Sequence, residues 1–395
     1  MKSYILLVVT IFCFLNATGQ KFEQLAKTPP MGWNSWNKFA CNVSEDLIMQ
    51  MADAMASSGM KDAGYEYVVI DDCWQVDRDA NGEIVVDQKR FPHGIKYLAD
   101  YIHSKGLKFG IYSCAGSMTC AGRPGGRGHE FQDARTYARW GVDYLKYDWC
   151  NTTTQNAKSS YITMRDGLFA ARRPIVFSIC EWGTAKPWEW GKEAGHLWRT
   201  TGDIVDRWDA MISIVDKEKD LAKYAGPGYW NDPDMLEVGN GGMTTEEYRT
   251  HFSVWCMLAA PLMAGNDLKN MADETSAILK NQELIALDQD SLGAQGFCYR
   301  DNGGYQIWIK KLAHKEKAAC LLNRSDEEKT VQVDFNVLLK ANDDYWSSEP
   351  YKLDDYKIRD LWEHKEVKPD KALISIKLPP HSVKVFRFIK RNNSL

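Results

Sequence analysis

The chain has 395 residues, 44% of them hydrophobic, enough for a sizeable core and for two domains or one large barrel with an appendage. Lys and Arg number 49 against 53 Asp and Glu, a net charge of −4, and no basic block stands out. That excludes nucleic acid and anionic membrane surfaces as expected partners. Aromatic residues reach 12%, with 15 Trp; carbohydrate-handling clefts use such flat apolar faces, and so do ordinary cores.

Residues 1–19 read as a signal peptide. Lys2 supplies a minimal positive region, Ile5 to Leu15 is an almost unbroken apolar run, and Ala17-Thr18-Gly19 offers small residues for cleavage. The run is too short for a convincing membrane span, and Phe12 is too bulky to precede a lipidated Cys13. No second long apolar stretch follows, so a soluble secreted or periplasmic protein is expected. Export turns the cysteines into disulfide candidates. Loss of Cys13 with the leader leaves nine of ten, so at least one is unpaired or pairs between chains.

From Thr28-Pro29-Pro30 onward, short strands alternate with helices. Met31–Trp36 is strand-like and precedes a helix capped by Ser44. Tyr65–Asp72 is a strand ending in paired carboxylates, followed by a helix over Ile95–Lys105. Lys108–Ser113 is a strand and Asp133–Trp140 a helix. Gly141–Cys150 is a buried strand in which period-2 geometry puts Lys146 and Asp148 on one side, with Tyr147 and Trp149 facing the helices. Tyr161–Arg172 is the next helix. Ile175–Trp182 ends in Glu181, and Leu197–Ile204 carries Arg199 and runs into Asp203. A helix from about Arg207 to Tyr224 leads to Tyr229–Leu236, dense in carboxylates. Thr244–Leu258, Ala260–Asn266 and Ile278–Leu287 supply a helix, the eighth strand and the eighth helical unit.

Eight alternations over about 260 residues are the size of a (β/α)8 TIM barrel, whose active sites lie at the strand ends that feed the helices. The barrel is assigned to 20–292. Beyond it, Tyr305–Lys310, Ala319–Leu322, Thr330–Phe335 and Ser382–Phe388 read as short, mostly alternating strands, so 293–395 is expected to be a C-terminal antiparallel β-sandwich.

The polar strand ends collect Asp71, Asp72, Lys146, Asp148, Glu181, Arg199, Asp203, Asp232 and Asp234. No two histidines stand at metal-ligand spacing, no Gly-rich loop opens a helix after a strand, and there is no G-x-S-x-G elbow. The expectation is no metal and no cofactor. A carboxylate-rich, aromatic-lined mouth suits glycoside hydrolysis; a Mg²⁺-dependent barrel of the enolase type is the competitor.

The runs Met31-Gly32-Trp33-Asn34-Ser35-Trp36, Ile70-Asp71-Asp72-Cys73-Trp74, Thr119-Cys120-Ala121-Gly122, Leu145-Lys146-Tyr147-Asp148, Cys180-Glu181-Trp182-Gly183, Trp198-Arg199 with Asp203, and Trp230-Asn231-Asp232-Pro233-Asp234-Met235-Leu236 occur in order. Together they resemble glycoside hydrolase family 27, the α-galactosidase (melibiase) family. The resemblance implies Asp148 as nucleophile and Asp203 as general acid/base of a retaining double displacement. Asp71 and Asp72 match the pair gripping the 4- and 6-hydroxyls, and Lys146 the residue reaching the 3- and 4-hydroxyls. Glu181 and Arg199 match positions facing the 2-position. Trp33, Tyr112 and Met235 correspond to pocket walls beside Asp234, with Cys120 and Trp182 in the same substrate-binding set. Lys146 is expected to hold Asp148 ionised, and Asp203 to start protonated.

The family pattern also pairs Cys41 with Cys73 and Cys120 with Cys150, leaving Cys114, Cys180, Cys256, Cys298 and Cys320 as buried thiols. The implied substrate is a terminal α-galactoside of an oligosaccharide or glycoconjugate. Alternatives are an α-N-acetylgalactosaminidase or β-L-arabinopyranosidase on the same fold, or a non-catalytic sugar-binding protein. Oligomeric state and natural aglycone are not legible.

Overall fold

The structure, a computed structural model, describes residues 21–341, 352–368 and 373–391; the leader-like run lies outside them. Strands β1 (Met31–Asn34), β2 (Tyr67–Ile70), β3 (Lys108–Cys114), β4 (Tyr144–Asp148), β5 (Val176–Cys180), β6 (Leu197–Arg199), β7 (Trp230–Asp232) and β8 (Leu262–Ala264) form one parallel sheet. Its order is β8-β1-β2-β3-β4-β5-β6-β7. The seam between β7 and β8 is joined by a single parallel bridge, Leu236 to Ala264. There Leu236 N–H donates to Met263 O at 2.8 Å and Gly265 N–H to Leu236 O at 3.1 Å. Pro233, directly after β7, has no N–H to give, so the ladder resumes only beyond it. This is a (β/α)8 barrel with one thin seam.

The strands are buried on both faces because helices cover the outside. These are α1 (Glu45–Ser57), α2 (Gly94–Ser104), α3 (Glu130–Trp140), α4 (Ala157–Ala170), α5 (Trp208–Glu218), α6 (Thr245–Leu258), α7 (Asp273–Leu279) and α8 (Gln282–Asp288). Ser44 caps α1, its Oγ accepting Leu47 N–H at 3.2 Å. Thr244 and Glu247 form a capping box at α6. The β5–β6 connection has no full helix, only short turns at Pro187–Glu189 and Gly191–Ala194. A Cβ on Gly191 would lie 2.6 Å from the Trp198 ring, so the chain passes too close to β6 for a side chain there. A hairpin of Gln75–Arg78 and Ile84–Val86 is inserted after β2; its strands of four and three residues are too short to have stood out in the sequence.

The C-terminal part adds β9 (Phe297–Asp301), β10 (Tyr305–Lys311), β11 (Lys317–Asn323), β12 (Lys329–Asp334), β13 (Tyr356–Asp360), β14 (Lys365–Val367), β15 (Leu373–Leu378) and β16 (Val383–Lys390). Six strands form an antiparallel sheet in the order β9-β10-β11-β16-β13-β14, and β12 pairs with β15. Alternation explains the two buried faces of the larger sheet. Ile307, Ile309, Leu321 and Phe388 pack with Val331 and Val333 of the small sheet. Trp308, Cys320, Leu322 and Val385 face the other way and join the barrel's own core. No helix among the described residues is long and apolar enough to cross a membrane.

Candidate active site

At the C-terminal mouth of the barrel a cavity of about 570 Å³ opens, with Lys146, Arg199, Asp203, Asp234 and Met235 among its walls. Asp148 is the last residue of β4 and only 6% exposed. Its Oδ2 accepts the Tyr112 hydroxyl at 3.0 Å and its Oδ1 the Trp149 N–H at 2.8 Å. Tyr147 and Trp149 point away as expected, both against the Tyr161 ring on α4.

Lys146 reaches Asp71 Oδ2 at 2.8 Å, not Asp148. Asn34 Nδ2 donates to the same oxygen at 2.8 Å, and Asp72 N–H to Asp71 Oδ1 at 2.9 Å. Asp72 in turn accepts Ala121 N–H at 2.9 Å and Cys73 N–H at 2.7 Å. Burial opposes the Lys146 charge, but Asp71, Cys180 and Asp148 around it hold its pKa well above the usual lysine value.

Arg199, at the end of β6, binds two carboxylates: Asp203 Oδ1 and Asp234 Oδ2, each 3.0 Å from Nη2. Asp234 holds a left-handed backbone, φ 91°, rare for a non-glycine residue. Its carboxylate fixes that bend by accepting Ile204 N–H and Met235 N–H, both at 2.8 Å. Asp203 is the exposed member of the set, its side chain 64% open at the mouth.

The titration pattern differs from expectation. Burial pushes Asp148 up to about 6, against the pull of Lys146 and the Trp149 N–H. For Asp203, desolvation also pushes upward, but Arg199 outweighs it and the net shift is down. In the free protein the buried carboxyl is therefore the weaker acid. The physical reason is the wiring: Lys146 spends its ion pair on Asp71, while Arg199 reaches Asp203 directly.

Other expected site residues are placed as follows. Trp33 is fully buried, its indole N–H donating to Asn266 O at 2.7 Å. The tryptophan on the cavity wall is Trp36, half-buried, joined there by Asn37, Glu237 and Asn240; none of the four was singled out from sequence as a binding residue. Glu181 is fully enclosed, its Oε2 accepting Thr184 Oγ1–H at 2.8 Å and Ala185 N–H at 2.6 Å. Trp182 follows with φ 62°.

Cys41–Cys73 and Cys120–Cys150 are disulfides. Cys120 Sγ lies 3.5 Å from Asp148 Oδ2. Cys120, Cys150 and Asp148 are the only cluster of potential metal ligands among the described residues. Its two sulfurs are bonded to each other and have no thiolate to offer a metal. Cys114, Cys180, Cys256 and Cys320 are buried free thiols, while Cys298 is only half-buried.

A barrel mouth with two carboxyls of different environment, further acids, an Arg and a Lys is the donor and acceptor set of a glycoside hydrolase. The family model described as alpha galactosidase A matches residues 28–290, and that of the alpha-galactosidase C-terminal β-sandwich domain matches 302–388. The chain is 52% identical over 396 residues to alpha-galactosidase A of Cellvibrio japonicus (strain Ueda107), covering 98% of each protein. Alpha-galactosidase I from Mortierella vinacea superposes with a TM-score of 0.88 at 38% identity, over 93% of this chain and 98% of that one. The α-galactosidase from Saccharomyces cerevisiae solved with raffinose gives 0.86 at 29% identity, over 93% and 99%. The chain belongs to the α-galactosidase family, glycoside hydrolase family 27.

Proposed function

We propose that the protein is an exported, exo-acting α-galactosidase that releases terminal galactose with retention of configuration. The observation that carries this reading is the combination of a buried Asp148 at the end of β4 with an exposed Asp203 on the cavity wall at the same barrel mouth. A carboxyl buried at a strand end suits attack on an enclosed terminal sugar, and the open acid suits a departing group that extends outward. Raffinose, bound in the yeast relative, is the substrate type to try first. The leader-like N-terminus and the two disulfides support export.

In the first step the Asp148 carboxylate attacks the anomeric carbon. The glycosidic C–O bond breaks, and Asp203 gives its proton to the departing oxygen. In the second, water attacks the anomeric carbon and gives its proton to Asp203, and the bond to Asp148 breaks. Asp71, Asp72, Lys146, Arg199 and Asp234 grip hydroxyls, carboxylates accepting and cations donating. Turnover needs one proton on the Asp148–Asp203 pair. With Asp148 near 6 and Asp203 held low by Arg199, that proton rests on Asp148 in the free protein and must sit on Asp203 for catalysis, and the optimum falls on the acid side of 6.

The test is turnover of raffinose and a chromogenic α-galactoside, with the first-formed sugar anomer read by NMR. Asp148→Asn should lose turnover while keeping the fold, and added azide with an activated substrate should restore it with inverted product. First-formed β-galactose from the wild type, or wild-type turnover in Asp148→Asn, overturns the mechanism.

A further inference from the structure

Glu237 is a buried carboxyl on the cavity wall that the reaction above leaves unused. It is 4% exposed. Its Oε1 accepts Asn37 Nδ2 and its Oε2 accepts Asn240 Nδ2, both at 2.6 Å. Its own N–H donates to His251 Nε2 on α6 at 3.1 Å. The His251 ring packs edge-on against Trp255, 4.0 Å between centroids, and the Trp255 indole donates to Asp234 O at 2.7 Å. The loop after β7 is thus anchored to α6 at both Asp234 and Glu237.

The partners of that carboxyl matter because of their neighbours. Asn37 follows Trp36, the wall tryptophan on the loop after β1. Met235, on the wall after β7, precedes Glu237 by two. The loop after β8 is wedged between them: a Cβ on Gly265 would sit 2.9 Å from Met235 Cε and 3.0 Å from Asn37 Cβ. Three strand-end loops meet at this point, and Glu237 is the side chain that bonds the first to the second.

We propose that Glu237 is a positioning residue for substrate: by clasping Asn37 and Asn240 it fixes the Trp36 wall relative to the Asp234–Met235 wall, and so sets the affinity for the bound sugar. This rests on the reading of the cavity as the galactoside site. Glu237 does not touch the reacting atoms. Unlinking the walls weakens ground state and transition state alike, which raises KM and leaves kcat nearly unchanged. Glutamine keeps the clasp, since its amide can accept from one Asn and donate to the other after a flip. Asn240 Oδ1, without a partner among the described residues, is the acceptor such a flip supplies.

The experiment measures kcat, KM and Tm on p-nitrophenyl α-galactoside for wild type, Glu237→Ala, Glu237→Gln, Asn37→Ala and the Glu237→Ala/Asn37→Ala double variant. Glu237→Ala and Asn37→Ala should each raise KM about tenfold or more with kcat within about threefold. The double variant should add nothing further, because both changes cut the same link. Glu237→Gln should recover most of the loss. A stable Glu237→Ala with wild-type KM, kcat falling at constant KM, or multiplicative effects in the double variant each overturn the clasp. If Glu237→Ala fails to fold, Asn37→Ala with wild-type KM does so alone. A wild type that turns over no α-galactoside overturns the reading of the cavity, and the inference with it.

Discussion

Lys146 Nζ and Asp71 Oδ2 meet at 2.8 Å across the intervening strand β3, and the Tyr112 ring of that strand lies below the ammonium, 5.3 Å from its centroid. The lysine therefore acts on Asp148 through space rather than through a bond. Both halves of the ion pair are nearly enclosed, so their attraction is poorly screened and loss of one partner strands the other. Replacing Lys146 by Met keeps the length and removes the charge. We expect kcat/KM on a chromogenic α-galactoside to fall about a hundredfold or more. The limb of the pH profile near 6 should also move to higher pH, because Lys146 is what pulls the Asp148 carboxyl down. A pH–rate profile measures both. A limb that stays in place would show that Lys146 serves only to bind hydroxyls.

The barrel was legible because each strand is a short apolar run ending in a polar residue, and the polar ends gather at one mouth. Trp33 and Trp36 show where that logic stops. β1 ends at Asn34, so the period-2 rule no longer holds at Trp36, and nothing in the run Trp33-Asn34-Ser35-Trp36 says which indole faces the cavity. Direction of titration was illegible for a related reason: it depends on which acid each cation touches, and Lys146 chose Asp71. In the C-terminal sheets, Leu373–Leu378 is a strand that the sequence reading did not single out, although Ile374, Ile376 and Leu378 alternate with Ser375 and Lys377. Lys365-Glu366-Val367 has no such pattern and is a strand only because β13 offers it an edge.

The two disulfides separate a shared stabilising role from a local one. They close loops of similar length, 32 residues for Cys41–Cys73 and 30 for Cys120–Cys150. Removing either should cost roughly 3 to 4 kcal/mol in the chain-entropy model. Only Cys120 places its sulfur against the Asp148 carboxylate, with the Tyr112 hydroxyl 3.4 Å from the same sulfur. Cys120→Ser/Cys150→Ser should therefore lower kcat more than Cys41→Ser/Cys73→Ser at equal loss of Tm. Equal kcat in the two double variants would make the sulfur contact incidental. Alkylation of Cys120 and Cys150 without prior reduction would remove the bond itself.

Stability should fall as pH rises from mildly acid to neutral, and Glu218 is the group to test. It is fully buried on α5, accepting the Thr200 hydroxyl and, at 3.4 Å, Gln295 Nε2. Burial pushes its pKa up to about 7. The unfolded chain releases this proton near the ordinary glutamate value of about 4.3, whereas the folded chain keeps it until about 7. Between those values the folded state binds more protons, so its stability is full below the window and is lost on rising through it. The size is on the order of 3 kcal/mol. Glu218→Gln is neutral throughout and should flatten this part of the profile. Urea unfolding at pH 4.5 and 7.5 gives the comparison, and identical pH slopes in the two proteins would discard the account.

Glu181 raises the question of substrate choice, and its surroundings give it two jobs to separate. One oxygen holds the turn after β5 through Thr184 and Ala185, and Gly183 within that turn passes so close to Thr200 that a Cβ would lie 2.1 Å from its carbonyl oxygen. The other oxygen, Oε1, is buried with no partner among the described residues, and a sugar 2-hydroxyl, reached by a small shift of this turn, is the donor that the family resemblance brings to this position. A carboxylate there accepts from a hydroxyl and crowds a 2-acetamido group, so galactose should be preferred over N-acetylgalactosamine. Glu181→Ser shortens the side chain and should lower the ratio of kcat/KM for α-galactoside over α-N-acetylgalactosaminide by about tenfold or more. Glu181→Gln keeps an acceptor for Ala185 N–H and the same bulk, so it should preserve the ratio even where both activities decline. The measurement is that ratio in wild type and the two variants. If Glu181→Ser lowers both activities together and leaves the ratio unchanged, Glu181 holds the turn and does not select the sugar.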